Sequence, residues 1–180
     1  MISQELIRLI LRRYTLPLEG THGVPHWARV LENGRRLSEV TGAKKDIVEL
    51  FAVFHDCQRI NEGVDDGHGR RGADLARDLR GVVYELDDEA FGLLIQACAL
   101  HTEGYLDGDV TLRTCWDADR LDLGRVGITP RTEKLCTKEA RNPGLLKWAV
   151  KRSESLFVPA LVSEDWGLRR IQRAGNLQTH

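Results

Sequence analysis

The sequence predicts an all-α fold, and three observations support this prediction. Apolar residues recur at helical spacing along most of the 180 residues, and alternating strand patterns are short and rare. The segment IVELFAVF (residues 47–54) is apolar on almost every side. A helix of that kind belongs in the centre of a bundle. We therefore expect five or more helices packed around it.

The other helices follow from their apolar positions in chain order. Leu6, Leu9 and Ile10 indicate a first helix, and Pro25 suits the first turn of a second helix that carries Val30, Leu31 and Leu37. Two stripes, Ala73/Ala76/Leu79/Val83 and Phe91/Leu94/Ile95/Cys98, are separated by the polar segment ELDDE. After Pro130, PRTEKLCTKEA and LLKWAVKRSESLF predict two more helices joined at Asn142-Pro143-Gly144, and LRRIQRAGNLQTH predicts a solvated or frayed end.

Composition limits the classes of protein. A chain of 180 residues that is 42% hydrophobic predicts a single domain over residues 1–180 with a substantial core. A net charge of −1 provides no overall field for nucleic acid or an anionic membrane, so we expect no extended nucleic-acid binding. The start lacks the apolar core of a signal peptide, and no stretch approaches ~20 apolar residues, which predicts a cytoplasmic protein without membrane contact. The four cysteines form no CxxC pair and predict reduced, buried thiols. The oligomeric state is left open.

Several ionisable side chains fall on apolar helix faces. His26 lies in line with Val30 and Leu37, and His55 shares a face with Val48 and Phe51 while Asp56 follows directly. His101 repeats the pattern after Leu94, Ala97 and Cys98. A helical arrangement of WDADRLDLGRV aligns Asp119 with Trp116, Leu123 and Val126, and places Asp117 on the other side with Arg113, Arg120 and Gly124. These faces should turn the histidines and Asp119 toward the core.

Such a set of buried side chains needs a common explanation. A buried, unpaired carboxylate costs several kcal/mol. A single histidine on an apolar face is more often a hydrogen-bonded core residue, and a single aspartate is often a helix cap. Three histidines and two aspartates on different helices would each need a separate partner. One shared metal ion satisfies all of them, so the sequence predicts a metal site.

The local sequence around these residues resembles a known family. Three segments resemble, in this order, the sequence motifs of the HD-domain metal-dependent phosphohydrolases, an all-α family. They are HWARV around His26, FAVFHD with the doublet His55-Asp56, and DADRLD with Asp119. More narrowly, the chain resembles small bacterial HD-domain proteins of uncertain substrate. The resemblance covers about residues 20–127, and the C-terminal part, about residues 130–180, carries no matching motif. It implies a bundle of the HD-domain type with His26, His55, Asp56 and Asp119 as metal ligands.

Further residues are assigned through the same resemblance. His68, in the loop DDGHGRRGA, and His101, in LHTEG, are similar to the extra histidines of two-metal branches of the family. They would bind a second ion or protonate the leaving group, with Asp56 also in the catalytic set. His22, four residues before His26, is left outside the ligand set. Imidazole and carboxylate ligands suit Mn²⁺, Fe²⁺, Co²⁺, Ni²⁺ or Zn²⁺ better than Mg²⁺.

The resemblance implies hydrolysis of a phosphate ester or phosphoanhydride by metal-activated water. The substrate would be a nucleotide or another small phosphorylated metabolite. Arg70 and Arg71, at the start of a predicted helix, and Arg120, next to Asp119, are the expected phosphate contacts, although Arg70 or Arg71 would alternatively pair with Asp65 or Asp74. Arg59 is a further candidate. Two other functions stay open: an HD-fold two-iron oxygenase, and a non-catalytic module that binds a metal or a nucleotide.

Overall fold

The computed structural model describes residues 2–171, and within that range the chain is helical and contains no strand. The α-helices are α1 (Gln4–Leu11), α2 (Val24–Thr41), α3 (Lys45–Phe54), α4 (His68–Leu79), α5 (Asp88–Leu100), α6 (Val110–Arg120), α7 (Pro143–Glu154) and α8 (Leu161–Glu164), with 3-10 turns at Leu123–Val126 and Thr132–Lys134. The prediction of an all-α fold is confirmed.

Helix α3 is the centre of the bundle, as its sequence predicts. It packs against α2, α4, α5 and α6, and every residue from Ile47 to Phe54 is buried. The helix ends at His55, whose backbone amide still donates to the Phe51 carbonyl oxygen. The next residue, Asp56, therefore leaves the helix at the point where the surrounding helices converge.

Two close approaches between helices position this point. Gly34 of α2 lies against the Val48 side chain of α3, and a Cβ atom at Gly34 would collide with it. Gly69 of α4 lies against the Cys98 carbonyl oxygen of α5 and the His101 ring in the same way. The small residues thus bring the starts of α2 and α4 and the end of α5 to the C-terminal end of α3.

Some local predictions need correction. The segment PRTEKLCTKEA is not a helix beyond the short 3-10 turn Thr132–Lys134. The carboxylate of Asp117 accepts hydrogen bonds from the backbone amides of Cys136 and Thr137 and from the Thr137 hydroxyl, which holds this segment in turns. The apolar stripe that ends at Val83 also runs past α4, which stops at Leu79.

Other features of the termini and cysteines follow the predictions in part. Helix α7 begins at Pro143 and is capped by the Asn142 side chain. Of the segment predicted to be solvated or frayed, residues 168–180, Arg169 and Arg170 are exposed and Ile171 is buried, while residues 172–180 lie outside the described residues. All four cysteines are buried and unpaired, as predicted. No helix within residues 2–171 combines the length and apolar character that crossing a bilayer requires.

Candidate metal centre

Four side chains predicted as metal ligands converge at the end of α3. His26 comes from the first turn of α2, His55 and Asp56 end α3, and Asp119 comes from the last turn of α6. His26 Nε2 lies 3.0 Å from His55 Nε2 and 3.4 Å from both Asp56 Oδ2 and Asp119 Oδ1. His55 Nε2 lies 3.7 Å from the same two carboxylate oxygens. We call these four residues the first group.

The spacing of these atoms suits a shared cation. Ligand atoms that each bind an ion at about 2.1 Å stand about 3.0 Å apart at a right angle and about 3.4 Å apart at the tetrahedral angle. The contacts of the first group lie close to this range. The side chains of this buried group can therefore hold a metal ion, as its composition of histidine and aspartate suggests.

A second group shares Asp56 with the first. Asp56 Oδ1 lies 3.0 Å from His68 Nε2 and 3.7 Å from His101 Nε2, and the two imidazole nitrogens are 2.9 Å apart. We call Asp56, His68 and His101 the second group. Because the two oxygens of Asp56 face different groups, two ions would share this carboxylate.

The histidines of both groups present the same ring nitrogen to the cluster. Each Nδ1 atom has an acceptor of its own: Asp122 Oδ2 at 2.7 Å for His26, the Phe51 and Ala52 carbonyls at 3.2 Å for His55, the Asp65 carbonyl at 2.6 Å for His68 and the Cys98 carbonyl at 2.7 Å for His101. Since carbonyl and carboxylate oxygens only accept, Nδ1 carries the proton and Nε2 keeps its lone pair. Two facing lone pairs about 3 Å apart repel each other unless a cation, a metal ion or a proton, lies between them.

Asp119 provides an independent indication that the first group suits a cation. Its Oδ1 atom is buried and has no hydrogen-bond partner in the part of the chain that the structure describes. Burial alone would raise the pKa of Asp119, but His55, Arg125 and His26 together hold it at about 2. An ionised oxygen that faces two imidazole lone pairs without a donor fits a metal ligand.

The electrostatics keep the ligands in their binding forms. Burial lowers the pKa of His55 to about 3, so this imidazole stays neutral and able to bind a metal. Burial by itself would raise the pKa of Asp56, but the charges and hydrogen bonds of the surrounding histidines hold it well below its usual range. The pKa of His101 is raised, because the hydrogen bond with Asp56 outweighs the opposing effect of burial.

A buried ion pair orients His26. Asp122 accepts from Arg29 Nε at 2.7 Å and from Arg29 Nη2 at 3.0 Å, and it accepts from His26 Nδ1 with its second oxygen. A carboxylate behind a metal-binding histidine fixes the ring and its tautomer. Sequence reasoning did not select Asp122, although it lies three residues after Asp119 in the same motif, DADRLD.

The arginines predicted as phosphate contacts lie elsewhere. Arg70 is exposed, Arg71 makes two bonds of 2.6 and 2.7 Å to Asp65, and Arg120 donates to the carbonyls of Lys134 and Tyr105. Within residues 2–171 the side chains of these three arginines form no hydrogen bond or ion pair with a residue of either group. The alternative pairing of Arg71 with Asp65 is the one that the structure shows.

Two other arginines reach the cluster. Arg59 Nη1 lies 3.4 Å from Asp56 Oδ1 and 3.1 Å from His68 Nε2, beside the second group. Arg125 Nη2 lies 3.8 Å from Asp119 Oδ1, beside the first group. Arg59 was a predicted candidate, whereas Arg125 was not, because it follows α6 in a turn whose direction the sequence pattern does not reveal.

His22 also joins the cluster. Its Nδ1 atom lies 2.8 Å from Asp56 Oδ2, and the side chain is nearly buried. The turn that carries it is held by Trp27 Nε1, which donates to the His22 carbonyl at 2.8 Å. Its spacing of four residues from His26 was the available signal, but α2 begins only at Val24, so helical alignment does not place His22.

No family model, curated protein or solved structure matches the chain. The resemblance to HD-domain phosphohydrolases therefore stays a prediction. The chemistry of the cluster rests on the geometry of its histidine and aspartate side chains.

Proposed function

We propose that this protein is a divalent-metal-dependent phosphohydrolase that cleaves a phosphate ester or phosphoanhydride of a small phosphorylated metabolite. The observation that supports it most directly is the pair of buried ligand groups joined by Asp56. His26, His55, Asp56 and Asp119 would hold one ion, and His68 and His101 would hold a second with Asp56. Mn²⁺, Fe²⁺, Co²⁺, Ni²⁺ and Zn²⁺ suit these ligands.

A bound divalent ion supplies an acidified water and polarises a phosphoryl oxygen. The side chains supply the arrangement around it. Asp56 fixes the separation of the two groups, because its oxygens lie 3.4 Å from His26 Nε2 and 3.0 Å from His68 Nε2. Neutral imidazoles bring no negative charge of their own, so they offset less of the charge of an ion than additional carboxylates would.

Two cations flank the ligand groups. Arg59 lies beside the second group and Arg125 beside the first. Guanidinium groups bind phosphate oxygens through charge-assisted hydrogen bonds, and they stabilise the negative charge of the transition state. We assign the phosphate contacts to these two residues in place of Arg70, Arg71 and Arg120.

The first experiment is elemental mass spectrometry on full-length protein purified without chelator or histidine tag. Phosphate release from a mixed panel of phosphoesters and nucleotides is measured beside it, with Mn²⁺, Co²⁺, Ni²⁺ or Mg²⁺ added. We expect one to two equivalents of transition metal and phosphate release, and in Asp119→Ala a lower metal content with loss of phosphate release. Bound metal without phosphate release from any ester would overturn the proposal.

The second group favours one competing function. Two ion sites that share a carboxylate also suit a two-iron oxygenase, which would bind two irons and consume dioxygen. Oxygen uptake by iron-loaded protein, without phosphate release, would support that function over hydrolysis. Phosphate release under anaerobic conditions with Mn²⁺ would exclude it as the explanation of the observed activity.

A further inference from the structure

A small cleft lies beside the first group. Glu19 and Thr21 line it from the loop before α2, Arg125 from the turn after α6, and Leu156 and Val158 from the segment after α7. The volume of the cleft is about 140 Å³. We call it the Arg125 cleft, because the Arg125 side chain belongs both to its wall and to the surroundings of Asp119 and His22.

Arg125 carries a donor that lacks an acceptor. Its side chain is only 5% exposed, and Nε and Nη1 donate to the carbonyls of Thr21 at 3.2 Å and Asp122 at 3.1 Å. Nη2 lies 3.4 Å from His22 Nδ1, and the Asp119 Oδ1 atom that faces it is 3.8 Å away, beyond hydrogen-bond distance.

His22 cannot accept that hydrogen bond. Its Nδ1 atom lies 2.8 Å from Asp56 Oδ2, and a carboxylate oxygen only accepts, so Nδ1 either donates its proton to Asp56 or gives its lone pair to an ion. In both cases no lone pair remains for Arg125. Buried donors are almost always paired, so a buried guanidinium donor that points at the metal ligands indicates an anionic ligand.

We propose that the Arg125 cleft is the substrate pocket and that it accepts phosphomonoesters with a short aliphatic group. This inference rests on the proposed function. The phosphoryl group would meet Arg125 Nη2 and the first group, and the alkyl group would contact Leu156 and Val158. The substrate class is thereby narrowed from phosphorylated metabolites in general to small esters that are not nucleotides.

The volume sets the limit on size. A water molecule takes about 30 Å³ in the liquid, so the cleft holds about five waters. Pockets for drug-sized ligands measure roughly 300 to 1,000 Å³. A chain of about three or four carbons fills the cleft, whereas most of a nucleoside would project beyond its apolar wall.

A second cleft lies on the other side of the cluster and suits an anion less well. Its volume is about 430 Å³, and Arg59 and His68 line it together with the carboxylates of Asp65, Asp66 and Glu103. The Arg59 guanidinium already donates to the carbonyls of Asn61 and Gly63. Asp65 is paired with Arg71, but the carboxylates of Asp66 and Glu103 stand against one engaged arginine and disfavour a dianionic phosphate ester there.

Leu156 offers a variant that should fold. It is the one non-glycine residue in residues 2–171 with a positive φ, 49°, and its side chain is exposed at the edge of the Arg125 cleft. Glycine adopts this conformation without strain. Leu156→Gly therefore removes an apolar wall of the cleft without a penalty to the backbone.

The test measures binding of n-alkylphosphonates of one to eight carbons to the Mn²⁺-loaded full-length protein by calorimetry. Hydrolysis of n-alkyl phosphates of the same lengths is followed in parallel. We expect affinity to rise about fourfold per methylene up to about four carbons, since each buried methylene is worth ~0.8 kcal/mol, and to fall beyond that length. Leu156→Gly should shift the optimum to longer chains.

Two variants complete the test. Val64→Ala removes an exposed apolar side chain at the other cleft and should leave the length profile unchanged. Arg125→Lys should weaken methylphosphonate binding at least tenfold without loss of bound Mn²⁺, because lysine cannot reproduce the directed Nη2 donor. The assignment of the Arg125 cleft as the substrate pocket would be overturned if phosphonate affinity did not depend on chain length. It would also be overturned if the preferred length changed in Val64→Ala and not in Leu156→Gly.

The experiments distinguish an error in the proposed substrate pocket from an error in the proposed hydrolase function. Length-dependent phosphonate binding without hydrolysis of any ester supports the pocket and refutes the hydrolase. Hydrolysis that prefers nucleotides and ignores Leu156→Gly supports the hydrolase and refutes the pocket.

Discussion

Asp122 forms a hydrogen bond with His26 Nδ1, on the side of the ring opposite the first group. Replacement of Asp122 tests whether this bond orients His26 in the site. The side chain is almost fully buried and accepts hydrogen bonds from both Arg29 and His26. Asp122→Asn removes the negative charge, and it replaces one acceptor oxygen by an amide NH₂, which donates and cannot accept, so only one acceptor oxygen remains. The variant leaves the Arg29 guanidinium buried without a counterion.

The magnitude follows from that unpaired charge. Breaking a buried ion pair from one side costs about 3 to 5 kcal/mol. Arg29 Nη1 keeps its bond to the Phe157 carbonyl at 2.9 Å, so we expect a loss near the lower end, about 3 kcal/mol of unfolding free energy. Loss of the carboxylate behind His26 should also weaken metal binding about 10- to 100-fold.

Urea unfolding of metal-free protein measures the first effect, and Mn²⁺ titration of the folded protein measures the second. Asp78→Asn is the control, because Asp78 pairs with Arg13 on the surface and such pairs contribute at most about 1 kcal/mol. If Asp122→Asn changed stability no more than Asp78→Asn and left Mn²⁺ affinity intact, Asp122 would not orient the site.

Three further predictions concern the second group, the metal and pH. Gly69→Ala pushes α4 away from α5 and should remove one equivalent of metal, measured by elemental mass spectrometry. Gly92→Ala, which has open space around it, should keep two equivalents of metal. Equal metal content in the two variants would contradict a second site. Removal of an ion by a chelator should lower the free energy of unfolding by about 4 kcal/mol relative to protein with free metal at 1,000 times Kd, and the total loss should be smaller in Asp119→Ala, which lacks a ligand of the first group; an equal loss in both would mean that the metal binds elsewhere. Although burial opposes it, the pKa of Asp65 is lowered by Arg71 and the Ile60 amide, so its stabilisation is present above a pH of about 4 and is lost as pH falls through the folded pKa. The stability difference between wild type and Asp65→Asn should shrink on that acid side, and a difference independent of pH would be inconsistent with the ion pair.

The sequence predicts the helices and most of the residues of the two groups because both depend on local spacing. His26 and His55 are fully buried on the faces that helical periodicity indicates. Asp117 shows where this reasoning ends. It was expected on the side away from the core, yet it is fully buried, because residues 135–137 fold over that side of α6. Asp119, the residue selected as buried, keeps a side-chain exposure of 15% and still faces the histidines.

The arginines around the site depend on contacts distant in sequence. Arg120 is adjacent to Asp119, but neighbours on a helix point about 100° apart, and Arg120 turns to the carbonyls of Tyr105 and Lys134. Arg125 reaches Asp119 only because the chain reverses after α6, and it reaches Thr21 across 104 positions of sequence. Helical periodicity contains no information on such returns of the chain.

The charges close to the cluster balance before any metal is added. Asp56, Asp119 and Asp122 face Arg59, Arg125 and Arg29, and a neutral His55 leaves this balance unchanged. One divalent ion therefore leaves an excess charge of about +2, which a phosphomonoester dianion, with a second pKa near 6, would cancel.

It follows that metal and phosphate should bind cooperatively, each raising the affinity for the other by the same factor. The dissociation constant of Mn²⁺, measured at pH 7.5 with and without saturating methylphosphonate, should fall at least tenfold when the dianion is present. Arg59→Gln adds one uncompensated negative charge and should tighten Mn²⁺ in the absence of phosphonate while reducing the cooperativity. Independent binding of the two ligands would show that the dianion does not sit beside the metal, whatever the protein hydrolyses.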